Sequence, residues 1–266
     1  MGTIVSFQAH PDDESITTAA TVAKAAAAGH RVVTVFATRG ELGQPVPGVL
    51  ADGEQLSLRR SAEVYESAAA LGSKRVEFLG YVDSGMMGEP TTDAPYCFWQ
   101  ADVEHAARRL ALILEEEQPD VLTVYDDNGG YGHPDHIQVH RVGMRAAELA
   151  GVPVVAQHTF NRDYFQRLLA QAAENREPVE GTPPDLGEEF GKPEAEITHS
   201  VDGTEFAAAK RASMLAHASQ IGPDHFMLTL PDEAFAVGFG IEWYVIDPIP
   251  GPDAPQLFND LFAPIH

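Results

Sequence analysis

The sequence predicts an α/β fold, a Rossmann-like, mostly parallel sheet flanked by helices, with a smaller loop-rich C-terminal part. Two observations carry that expectation. Apolar runs rich in β-branched residues recur at 3–7, 31–37, 75–79, 121–125 and 152–156, and helical stretches separate most of them. Strands that alternate with helices are most simply satisfied by a parallel sheet covered on both faces.

Taken in order, the run 3–7 opens the sheet and the Ala-rich stretch 15–28 follows as the first helix. Residues 57–71 (SLRRSAEVYESAAAL) place Leu58, Val64 and Leu71 at near-helical spacing, and 103–114 repeats apolar residues at three and four. After about residue 160 the pattern loosens. The stretch 177–196 (EPVEGTPPDLGEEFGKPEAE) is too rich in Pro, Gly and Glu for a packed element, so a long loop or lid is expected there. A helix is expected over 204–218 (TEFAAAKRASMLAHA), and the apolar run 234–246 reads as a strand or two. The expected division is a catalytic core over 1–160, with 161–266 completing the same domain and the substrate pocket.

Composition narrows the function. Forty acidic against seventeen basic residues give a formal charge of −23, which repels phosphate backbones and anionic lipid surfaces, so neither nucleic acid nor membrane is expected as a partner. No stretch approaches the roughly 18 uninterrupted apolar residues of a membrane span. The N-terminus shows no basic region ahead of an apolar signal core, and a cytoplasmic protein is expected. Cys97 is the single cysteine, so no intrachain disulfide can form and any metal site must draw on His, Asp and Glu.

Ligands of open α/β sheets gather at the carboxyl ends of the strands. AHPDDE (9–14) follows the first strand and YDDNGGYGHPDH (125–136) the fourth, so both are expected on one rim. His10 and Asp13 are three apart, as are His133 and His136. Two imidazoles and a carboxylate suit a catalytic divalent metal with a position left for water. Asp12 and His133 remain as groups to move a proton or to steady an oxyanion. The chemistry this implies is hydrolysis. Taken singly, the acidic residues could serve only the helix dipole and the histidines only the loop; two clusters on one rim favour the metal site.

AHPDDE, GGYGHPDH and KRASMLAHASQ together resemble the LmbE/PIG-L family of zinc-dependent N-deacetylases. Within it the sequence is most similar to the branch of deacetylases and S-conjugate amidases that act on mycothiol and its precursors. The resemblance implies His10, Asp13 and His136 as ligands of Zn2+, or of another divalent metal such as Fe2+. It implies Asp12 as general base, His133 as the group assisting the intermediate and the leaving amine, and Asp135 as the residue orienting the His133 ring. Tyr131 would swing over the substrate carbonyl on a loop freed by Gly129, Gly130 and Gly132. Arg60 would contact a polyol or its phosphate, and Asp83 sugar hydroxyls. Where many relatives carry a glycine pair, this chain has Thr17-Thr18-Ala19-Ala20. His217 reads equally as a packed helix histidine or a wall of the site.

The expected function is therefore a metal-dependent hydrolase that removes an acyl group, acetyl first, from a small glucosamine-like amino sugar. An amidase cutting a cysteinyl-glucosamine amide is the alternative. A non-catalytic sugar-binding module is the rival from another class, and the absence of G-x-G-x-x-G after the first strand argues against a nucleotide-binding version of it.

Overall fold

In the computed structural model, which describes residues 1–174, 187–247 and 261–262, the first strand β1 (Thr3–Gln8) lies inside a seven-stranded sheet, third from one edge. Its neighbours are β2 (Arg31–Phe36) and β4 (Val121–Tyr125), both parallel to it. β3 (Arg75–Phe78) extends the sheet beyond β2, and β5 (Val154–Thr159) beyond β4, again in parallel. Next to β5 runs β7 (Ile241–Ile246), antiparallel, and β6 (His199–Asp202) closes that edge antiparallel to β7. The order is β3-β2-β1-β4-β5-β7-β6.

β1 reads as a mainly apolar run without strict alternation because both of its faces are covered. Val5 and Phe7 point to one face, where they pack with Leu110 of α4 (Val103–Glu117) and with Val139 and Val142 of α6 (Pro134–Ala150). Ile4 points to the other, against Val22 and Ala23 of α2 (Ala19–Ala27) and Leu71 of α3 (Leu56–Leu71). Among the described residues the remaining α-helices are α1 (Asp13–Thr17), the short irregular α5 (Gly129–Gly132), α7 (Arg162–Glu174), α8 (Ala207–Ala216), α9 (Phe226–Thr229) and α10 (Asp232–Phe239). Among the described residues no helix is long and apolar enough to cross a membrane.

Three elements differ from expectation. The helix expected over 15–28 is broken at Thr18 (φ −136°), whose hydroxyl meets Ser6 and Gln8 of β1, while Glu242 of β7 accepts the Ala20 and Thr21 amides that open α2. The apolar run 234–246 is not all strand. Its first half belongs to α10, which starts after Pro231 with Asp232 and Glu233 in its first turn, and only the second half is β7. β6 was not expected, because the four-residue HSVD is too short and polar to declare itself. Of the expected loop 177–196, residues 177–186 lie outside the described residues. The segment 187–192 lies against the turn after β4, where the Gly191 amide donates to Gly130 O at 2.7 Å.

From β1 the chain crosses to β2 on one side, and β4 stands on the other, so strand order reverses between β1 and β4. A crevice opens at such a point, at the carboxyl ends of the strands. Both motif segments emerge there.

Candidate active site

The turn after β1 is built from bonds to its own backbone. The His10 amide donates to Asp13 Oδ2 at 2.9 Å, and Ser15 donates both its amide (2.9 Å) and its hydroxyl (2.6 Å) to Asp12 O. Asp12 itself takes φ 106°, in the half of the map that L-residues rarely enter. Arg60, from α3, reaches under the turn. It donates to Pro11 O and to Gly40 O (2.9 Å), and lies 3.1 Å from Asp12 Oδ2. A side chain at Gly40 would run into that guanidinium.

After β4, Asp126 Oδ1 accepts the Asn128 and Gly130 amides and folds the chain back. Gly130 and Tyr131 leave helical geometry, and His133 then caps α6, its Nδ1 accepting the Asp135 amide at 3.1 Å, with Pro134 at the first helical position. His136 in that first turn donates from Nδ1 to Gly129 O at 3.1 Å. Gly129 must be glycine: its φ is +65°, and a Cβ there would lie 2.6 Å from that of His136.

These segments bring the predicted ligands together. Asp13 Oδ2 stands 3.2 Å from His10 Nδ1 and 3.4 Å from His136 Nε2. Two donors on one zinc ion, each at about 2.0–2.2 Å and at tetrahedral or right angles, lie roughly 3.0–3.4 Å apart. The outer nitrogens are engaged elsewhere: His136 Nδ1 on Gly129 O and His10 Nε2 on Asp135 Oδ2, at 3.1 Å each. This leaves the inner nitrogens with free lone pairs, the arrangement of metal-bound imidazoles. Buried His136 Nε2 has no hydrogen-bond partner. The residues fit a divalent cation. The nitrogens of His10, His133 and His136 also lie within 4.8 Å of one another, but His133 Nδ1 already accepts the Asp135 amide, so Asp13 is the better third ligand.

Electrostatics point the same way. His10 is buried, which opposes its charged form, yet Asp83, Asp13 and Asp135 around it raise its pKa well above the ordinary value, so the cradle favours a cation. Burial also opposes ionisation of Asp13, but His136 and His10 hold it well below the usual carboxylate range. Asp12 behaves otherwise: burial pushes it up to about 6, against the pull of Arg60. Burial, with His10 and His136 close by, pushes His133 down to about 2. Its ring centroid is 4.7 Å from each of theirs. Tyr131, nearly half exposed, sets its ring edge-on to His136 with centroids 5.1 Å apart, and burial of its hydroxyl raises its pKa, so it stays protonated.

Three predicted residues are placed differently from expectation. The Asp135 carboxylate does not orient His133; it accepts from His10 Nε2 and from the amide and hydroxyl of Ser84, and only its backbone N–H reaches the His133 ring. Its position in the first turn of α6 aims it across the crevice at β1. Arg60 is buried and engaged with the Asp12 turn rather than presented to a polyol. Asp83 is buried as well, accepting the Leu42 and Gly85 amides, with Oδ1 3.6 Å from His10 Nε2. Sequence reasoning missed Ser84, although it adjoins Asp83, and Tyr125, whose ring stacks on His136 with centroids 4.1 Å apart. It also read Glu14 only as a helix-dipole partner, whereas its buried carboxylate accepts from His217 Nε2 at 2.6 Å.

The family model described as GlcNAc-PI de-N-acetylase (PIG-L) matches residues 5–147, which contain His10, Asp12, Asp13, Tyr131, His133 and His136. The chain is 40% identical to a 1D-myo-inositol 2-acetamido-2-deoxy-alpha-D-glucopyranoside deacetylase from Thermobifida fusca, covering 98% of each chain. It is 41% identical to a deacetylase of the same name from Nocardiopsis dassonvillei, over 96% of this chain and 98% of that one. Among solved structures, N,N'-diacetylchitobiose deacetylase from Pyrococcus horikoshii superposes with a TM-score of 0.61 at 19% identity, over 93% of this chain and 84% of that one. A 4-carboxy-2-hydroxymuconate hydratase from Pseudomonas putida superposes equally well, at 0.61 and 18% identity over 96% and 99%. The fold therefore does not choose the reaction by itself.

Proposed function

The chain belongs to the PIG-L family, and from that premise we propose that it is a zinc-dependent hydrolase that removes the N-acetyl group of a 2-acetamido-2-deoxyglucopyranoside carried on inositol. The observation that carries the reading is Asp13 Oδ2 poised between His10 Nδ1 and His136 Nε2, with Asp12 beside it left to act as a base. Zinc held by His10, Asp13 and His136 supplies a water whose pKa falls to about 7 and a Lewis acid for the amide carbonyl.

This chain's own groups do the rest. Asp12, with its pKa raised to about 6, is ionised at neutral pH yet basic enough to take the water's proton, and it returns that proton to the amine nitrogen as the amide bond breaks. His133 is neutral, and because Nδ1 accepts the Asp135 amide its proton sits on Nε2. That N–H and the Tyr131 hydroxyl donate to the carbonyl oxygen as it gains charge. A small cavity walled by Asp13, Ile16, Tyr125, Tyr131, His136 and His158 receives the acyl group. Asp135 and Asp83 hold His10 from behind, which fixes its ring for the metal.

The test begins with metal analysis of the purified protein, for which about one divalent ion per chain is expected, lost in Asp13→Ala. Amine release is then measured on N-acetylglucosaminyl-inositol, N-acetylglucosamine and a cysteinyl-glucosaminyl-inositol conjugate. Full activity after exhaustive chelation would sink the metal reading. Preference for the cysteinyl conjugate would move the substrate to the amidase class while leaving the residue roles unchanged.

A further inference from the structure

Asp12 holds an unfavourable backbone conformation. At φ 106°, ψ −32° it lies outside even the small left-handed region. Gln118, the other described non-glycine residue with positive φ, ends a helix at φ 45°, ψ 58°, where such a conformation is ordinary. Strained backbone persists only where its surroundings over-determine it.

The surroundings lead to Glu14. Its Oε2 accepts the Asp12 amide at 3.0 Å, and its Oε1 accepts the Ser67 hydroxyl at 2.5 Å and His217 Nε2 at 2.6 Å. An acidic residue in the first turn of a helix normally faces water, where it complements the dipole. Glu14 is instead 3% exposed, and Ser67 and His217 are both fully buried. The anchors come from distant elements. Ser67 lies on α3 and pairs with Ser213 of α8 at 2.7 Å, and His217 caps the C-terminal end of α8. Lys210, also on α8, donates to Ile16 O at 2.8 Å and to Glu242 at 2.7 Å. The polar side chains of the KRASMLAHASQ stretch thus brace α1 from behind, and the Asp12 amide is where that brace meets the turn.

We propose that Glu14, seated by His217 and Ser67, is a positioning residue of the reaction: it clamps the strained turn at Asp12 and so sets the direction of the Asp12 carboxylate. The proposal rests on Asp12 being the base. Glu14 and His217 are buried behind the turn, and they reach the base through the Asp12 amide, which distinguishes them from residues that only hold the fold together.

The test is a double-mutant cycle read in amine release from N-acetylglucosaminyl-inositol, with metal content and melting temperature recorded for each protein. Glu14→Gln leaves one carbonyl oxygen, which can serve the Asp12 amide or the Ser67–His217 pair but not both. A misplacement of about 1 Å can cost roughly 10²-fold, so kcat is expected to fall by about 10- to 100-fold, with KM and bound metal within about twofold. In an Asp12→Asn background the same change is expected to do almost nothing further, because coupled residues are not additive. Equal losses in both backgrounds would make Glu14 merely structural and overturn the proposal. Should Glu14→Gln not fold, His217→Ala takes its place in the cycle, and His217→Gln, which keeps an N–H toward Glu14, is expected to regain most of the loss. An unchanged kcat in His217→Ala also overturns the proposal. Wild-type turnover by Asp12→Asn itself is a separate result: it removes the base assignment, and this proposal with it.

Discussion

After β1 the chain turns under side chains drawn from α1 and α3, with α8 bracing α1 from behind, whereas after β4 it turns on Gly129, Gly130 and Gly132, and its side-chain anchors, Asp126, Asn128 and His136, hold the chain on either side of Tyr131 rather than Tyr131 itself. The first turn has Glu14, Ser15 and Arg60 on it, each bonded to Asp12 or Pro11. The second is met by the segment 187–192 through the Gly191 amide on Gly130 O, Asn128 Nδ2 on Glu189 O (2.9 Å), and a Lys192–Asp127 ion pair at 2.5 Å. Tyr131 itself stands out toward solvent. The difference teaches where this site needs stiffness. A ligand and a base must keep their aim within a fraction of an ångström, and they sit on the clamped turn. A donor that reaches over a substrate sits between Gly130 and Gly132, with its own side chain nearly half exposed.

The comparison breaks first at Asp12. Asp12→Asn keeps shape and metal but cannot accept a proton, so kcat should fall by about 10²–10⁴-fold. The wild-type rate should decline as pH drops through about 6, where Asp12 becomes protonated, and that acid limb should vanish from the residual activity of the variant. Near wild-type turnover, or loss of metal, would mean that base and ligand have been exchanged.

On the looser turn, Tyr131→Phe should cost less. A fixed oxyanion donor is worth about 10²–10³; one on a glycine turn should give roughly 10- to 100-fold in kcat, with metal content intact. A loss as large as that of Asp12→Asn would erase the contrast between the two turns.

Arg60 sharpens the comparison from below. Its charge favours ionised Asp12, so Arg60→Gln should move the acid limb to higher pH and lower the rate at pH 7 by about tenfold, since a nearby opposite charge is worth about one to three pKa units. KM should change little. A large rise in KM with an unmoved limb would return Arg60 to the polyol-contacting role first expected for it.

The smallest effect belongs to the tether. Lys192→Ala removes a partly exposed ion pair, for which about 0.2–1 kcal/mol is typical, so kcat should fall only a few-fold at most. That loss should disappear when Tyr131 is already Phe, and additive losses would show that the tether does not act through Tyr131.

Legibility followed the same division. Mainly apolar runs rich in β-branched residues declared β1, β2 and β4, because strands buried on both faces need no alternation. The antiparallel edge was harder to see: β6 is four mostly polar residues, and α10 and β7 share one apolar run that helix and strand periods describe about equally well. His10, Asp13, His133 and His136 were readable because a metal site imposes residue type and spacing on short stretches of chain. Glu14, Ser84 and His217 were not, because their roles depend on neighbours 50 to 200 residues away.

By itself the sequence determined the parallel core, the rim on which both motifs meet and the kinds of group that meet there, since strand period and ligand chemistry are local properties of the chain. The tertiary structure alone decided how those groups are aimed. It turned Asp135 onto His10 rather than His133, drew Arg60 beneath the base, and brought α8 behind α1 to hold Glu14. Those contacts join segments far apart in sequence, and the direction of a buried side chain is fixed by what packs against it, which no local pattern encodes.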